Sequence, residues 1–114
     1  MATDRTLPRA SWTKFFDIMS KSLLGQSAEI EVSSLELGDQ IVAEWIPMVG
    51  ITYDSKNDLL EVALDRLDHL IRHPREIFVQ EIPGGIASIA VVDEDGTKQI
   101  VRLKAPLMLP AAAT

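Results

Sequence analysis

Gly50-Ile51-Thr52-Tyr53-Asp54-Ser55-Lys56-Asn57-Asp58-Leu59-Leu60-Glu61-Val62-Ala63-Leu64 reads as two apolar runs around a polar loop. Asp, Ser and Asn supply turn chemistry at its centre, so the segment predicts a β-hairpin with strands at 51–53 and 59–64. The device recurs downstream, where 86–92 and 99–103 flank Asp93-Glu94-Asp95-Gly96-Thr97. Gly84-Gly85 turns the chain into that second hairpin from a strand at 76–82, which predicts a three-stranded meander. The two hairpins look alike, which common hairpin chemistry explains better than the alternative of an internal duplication.

Upstream the period changes. Trp12, Phe15, Phe16, Met19 and Leu23 stack on one side of a 3.6-residue turn and predict an amphipathic helix, with Ser11 as N-cap and Gly25 as the C′ residue. From Ala28, alternation of Ala28, Ile30 and Val32 with Glu29, Glu31 and Ser33 predicts a strand with one solvated face. Ile41 to Ile46 predicts a more deeply buried strand that Pro47 interrupts. Asp65 to His73 reads as a short helix or helical turn around Leu67 to Ile71. The expected fold is α+β: an N-terminal amphipathic helix followed by about seven short, mostly antiparallel strands forming a curled sheet or a small, partly open barrel. The expected organisation is a flexible N-terminus over 1–10, a single domain over 11–105 and a loose tail over 106–114.

Composition excludes several classes. The chain has 114 residues, 17 acidic against 11 basic, for a formal net charge of −6. Its basic residues are scattered, so neither a phosphate backbone nor an anionic membrane surface is an expected partner. The absence of cysteine removes disulfides, thiolate metal sites and thiol nucleophiles, and fits a reducing compartment. The first ten residues carry no apolar core of a secretory signal and no apolar run reaches the length of a spanning helix, so a soluble, cytoplasmic protein is expected.

Candidate sites are few. In a helix, Asp65, His69 and His73 would align at i, i+4 and i+8 and could hold a divalent ion, although Pro74 pushes His73 out of that column. The plainer reading is an exposed helix with Asp65 to His69 and Asp68 to Arg72 pairs, each worth about 0.2 to 0.5 kcal/mol, and no metal or cofactor is expected. Tyr53 beside Asp54 offers a phenol and a carboxylate, which period two sends to opposite faces. Tyr53, Asp54, Asp68 and His69 are therefore the ligand-binding candidates. Glu29 and Glu31 share a strand face that could imitate a paired-carboxylate site or simply be solvated. The Asp-rich loops at 54–58 and 93–97 do not match calcium-loop spacing and serve turns instead. No nucleophile elbow, phosphate-cradling loop or dinucleotide fingerprint occurs.

Four motifs recur together: Trp12-x-x-Phe15-Phe16-Asp17, Gly50-Ile51-Thr52-Tyr53-Asp54, Asp58-Leu59-Leu60-Glu61-Val62 and Asp68-His69-Leu70-Ile71-x-x-Pro74. In these the chain resembles, over nearly its whole length, a small bacterial family catalogued as a domain of unknown function. The resemblance implies a stand-alone bacterial protein and carries no activity, cofactor or partner. From apolar surplus without chemistry, the expected function is a non-enzymatic interaction module that self-associates or binds another protein. Its expected contact surface is a sheet edge or the apolar residues Trp45, Ile46, Met48 and Leu107 to Leu109, with Val42, Leu59 and Phe78 on the uncovered face. The alternative is a metal- or small-ligand-dependent enzyme or ligand sensor built on Asp65 to His73.

Overall fold

Alternating burial along β4 (Leu59–Leu64) places Leu60, Val62 and Leu64 inside and leaves Leu59, Glu61 and Ala63 half-exposed, as a strand over a core requires. A computed structural model describes residues 3–23 and 25–109. Before β4 come β1 (Thr3–Thr6), a 3-10 turn (Arg9–Ser11), α1 (Trp12–Lys21), β2 (Ser27–Ser34) and β3 (Gly38–Asp54). After it come β5 (Leu67–Arg72), β6 (Pro74–Ile82), β7 (Gly85–Asp93) and β8 (Lys98–Leu107). All strand pairs are antiparallel, in the order β1-β6-β7-β8-β2-β3-β4-β5.

The sheet curls without closing. β1 and β5 are its two edges, yet β5 runs directly into β6 through His73, whose φ is 53°. One end of the sheet is thus tied covalently to the other at a corner. β3 makes the curl possible: its first half pairs with β2 and its second half with β4. Three register irregularities bend it between the two duties, at Val42, at Glu44-Trp45 and at Val49.

The helix fills the interior. Trp12, Phe15, Phe16 and Met19 are buried on one face of α1 and meet Ile30, Ile51, Leu60, Ile71, Ile77 and Ile89 from the strands. Each fully buried large side chain contributes about 1.5–3 kcal/mol of transfer free energy. The Trp12 indole N–H donates to the Leu7 carbonyl at 2.9 Å, so the largest ring in the core leaves no donor unsatisfied.

Several expectations are corrected. The segment expected to be a flexible N-terminus holds β1, which pairs with β6 and precedes the helix, so the helix is not the first element. Ser11 occupies the N-cap position without a side-chain hydrogen bond, and the helix ends at Ser22, ahead of Gly25. Pro47 does not break β3; it lies where β3 leaves β2, and its carbonyl accepts from the Asp65 N–H at 2.9 Å. The segment read as helical around Leu67 to Ile71 is strand β5, joined to β4 by the two-residue turn Asp65-Arg66, with Arg66 at φ 65°. The segment 106–114, expected as a loose tail, begins inside β8, where Leu107 is buried; residues 110–114 lie outside the described residues.

Candidate functional site

The β5–β6 corner gathers side chains from four separate parts of the chain. Tyr53, near the end of β3, is buried and donates its hydroxyl hydrogen to Asp58 Oδ1 at 2.7 Å. Asp58 sits in the β3–β4 turn at φ 49°, a conformation that Asp tolerates better than most residues. Its second oxygen, Oδ2, meets His73 Nδ1 at 3.4 Å. Arg9 reaches in from the 3-10 turn, donating from Nη1 to the Tyr53 hydroxyl at 3.2 Å and from Nη2 to the Pro74 carbonyl at 2.9 Å. Its guanidinium lies 4.4 Å from the centre of the Trp12 ring, which in turn packs edge-on against Tyr53.

Backbone bonds fasten the corner as well. The His73 N–H donates to the Asp58 carbonyl at 2.8 Å, and the Glu94 N–H donates to the His73 carbonyl at 3.0 Å. The hydrogen bond from Tyr53, then the one from His73 and the charge of Arg9, hold the Asp58 carboxyl below its ordinary pKa against the opposing effect of burial. Burial and the bond to Asp58 raise the Tyr53 phenol. Beside this cluster opens a cleft of about 470 Å³ lined by Arg9, Asp58, His73, Pro74, Arg75 and Glu94.

The residues singled out from the sequence fall in different places. Tyr53 belongs to the corner cluster, whereas Asp54 turns away to cap its own loop, accepting from the Lys56 and Asn57 backbone N–H groups and the Asn57 amide. Asp68 is exposed on β5, opposite Ala63. His69 faces inward, opposite Val62, and its Nε2 meets Gln99 Oε1 on β8. Because β5 is a strand, Asp65 in the turn before it, His69 within it and His73 at the corner after it are spread along an extended chain, and the helical column does not form. Among the described residues no group of three or more His, Asp or Glu gathers where a metal ion could be held. Glu29 and Glu31 share the guanidinium of Arg102, at 3.1 and 2.7 Å, so the strand-face carboxylates form an ion-pair triad. Arg9 and Asp58 were not among the candidates, because each acquires its role only when distant segments meet at the corner.

A second feature lies on β3. Met48 and Leu107, expected at an exposed apolar surface, are core residues, and Ile46 and Leu109 pack against the core. The exposed apolar residues of β3 are Ile41, Val42, Trp45 and Val49, at 50%, 42%, 39% and 68% exposure. Three of these four coincide with the three register irregularities, where an extra residue is turned out of the ladder. From Gly38 to Ile46 the strand has β2 on one side and no strand on the other, among the described residues.

Among the described residues no helix is long and apolar enough to cross a membrane. The model of a family of unknown function, DUF5335, matches residues 3–112. An uncharacterized protein of Aquifex aeolicus (strain VF5) is 43% identical over 111 residues, covering 96% of this chain and 99% of the relative. No solved structure matches. The chain belongs to the DUF5335 family.

Proposed function

We propose that this member of the family is a non-enzymatic interaction module that self-associates through the exposed apolar residues at the irregularities of β3. The observation that carries the reading is the placement of Val42, Trp45 and Val49 at the irregularities of one strand, each exposed. Bulges re-aim side chains as well as bending the strand, and the bend itself does not require the three outward residues to be apolar. The occupant argued for is a second copy. A row of apolar side chains is self-complementary under a two-fold axis, and Glu44 is the only charge between Ile41 and Val49. The same bulges blunt the backbone edge, so side-chain packing rather than ladder extension supports the contact.

The test is native mass spectrometry of the untagged protein, alongside its Trp45→Glu and Val49→Glu variants. A dimer that both variants convert to monomer without a change in Tm is the expected result. A wild-type protein that stays monomeric at high concentration overturns the reading. A dimer indifferent to both changes places the contact elsewhere and also rejects β3.

A further inference from the structure

We propose that the cleft at the β5–β6 corner binds a small ligand through an oxyanion, either a carboxylate or a phosphate, using Arg9, His73 and Arg75. The cleft, about 470 Å³ and open to solvent, has room for a small molecule as well as for a single ion. Of the two acids lining the cleft, Asp58 is already compensated. Asp58 Oδ1 is taken by the Tyr53 hydroxyl and lies 3.5 Å from Arg9, and Oδ2 faces His73.

The donors are left in surplus. Arginine carries five N–H groups, and Arg9 commits only its two inward bonds, to Tyr53 and Pro74. Arg75 has no acidic partner among the described residues. Asp58 engages Nδ1 of His73, which orients the ring and leaves Nε2 without a protein partner among the described residues. Pro74 supplies one apolar wall, and Glu94 on the rim favours a ligand that also carries a hydrogen-bond donor. A purely structural corner explains the backbone bonds at His73 and the Tyr53–Asp58 pair. It requires neither the Arg75 guanidinium nor a free Nε2.

The experiment is a ¹H–¹⁵N NMR titration of the full chain with inorganic phosphate and, separately, with acetate, at constant ionic strength against sodium chloride. Saturable shifts confined to the amides of Arg9, Asp58, His73, Arg75 and Glu94 are expected, and the anion with the tighter curve identifies the group recognised. Arg75→Gln is expected to weaken that binding roughly fivefold to tenfold, by removing one charge-assisted contact, with an unchanged Tm. His73→Asn, which tolerates the same positive φ, is expected to weaken it as well. Linear shifts that chloride reproduces, or an Arg75→Gln titration identical to wild type, overturn the proposal.

Discussion

Ser20 gives Ile51 both hydrogen bonds that a neighbouring strand would have supplied: its Oγ accepts from the Ile51 N–H at 2.7 Å and donates to the Ile51 carbonyl at 3.0 Å. β2 reaches only to Pro47 along β3, so the second half of β3 has β4 on one side and α1 on the other. The helix therefore covers a sheet edge as well as filling the core.

Ser20→Ala removes that substitute partner and leaves the Ile51 N–H and carbonyl without their protein bonds. A loss of about 1–3 kcal/mol is expected, from the cost of leaving partly buried polar groups unpaired. Urea unfolding of the two proteins measures it, and an equal midpoint would show that water replaces the hydroxyl at no cost.

Asp58 ties stability to acid. Its folded pKa lies below its ordinary value of 3.8, chiefly through the Tyr53 hydroxyl, so the carboxylate stabilises the fold fully above that value. That contribution disappears as pH falls through the lower folded pKa. Asp58→Asn keeps a residue that tolerates φ 49° and removes the charge. The Tm gap between wild type and Asp58→Asn is expected to close as pH falls below the ordinary carboxyl value. Tyr53→Phe removes the largest cause of the shift, so its own acid loss is smaller and is complete at a higher pH than that of wild type. A gap that stays constant down to pH 2 would assign Asp58 no such role.

Gly85 opens β7 at φ 135°, and a Cβ there would lie 2.4 Å from the Leu107 carbonyl oxygen. Both the backbone conformation and the space demand glycine, because the blocking atom is main chain on the paired strand. Gly85→Ala is expected to cost about 2–4 kcal/mol, from strain and overpacking together. Thermal unfolding measures it, with Gly96→Ala as the control whose positive φ is matched by open space.

Strong local periods made much of the fold legible. Trp12, Phe15, Phe16 and Met19 announce α1, and the two polar loops announce the β3–β4 and β7–β8 hairpins. β1 was hidden because Thr3-Asp4-Arg5-Thr6 has no apolar residue; it is a strand only because β6 offers it an edge. β5 reads as helical in the sequence because its turn, Asp65-Arg66, lacks glycine, while Leu67, Leu70 and Ile71 also fit a helical face. At the corner, Tyr53 and His73 drew notice as the chain's only tyrosine and one of its two histidines. Arg9 carries no local signal, since its role depends on a residue 44 positions away, and Asp58, five residues from Tyr53, meets His73 only across 15 positions.

The strand order also dictates when the fold can assemble. β3-β4-β5 and β6-β7-β8 are each made of neighbours in sequence, and loops of a few residues close them. The ladders that join the pieces pair Ala28 with Leu103 and Thr3 with Glu81, partners 75 and 78 positions apart. Loop-closure entropy must be met before those contacts return anything, so the two meanders are available early and the β2–β8 seam late. Until that seam forms, the inward faces of both meanders stand open to solvent, and the high contact order places refolding on the slow, roughly millisecond-to-second scale of non-local β proteins.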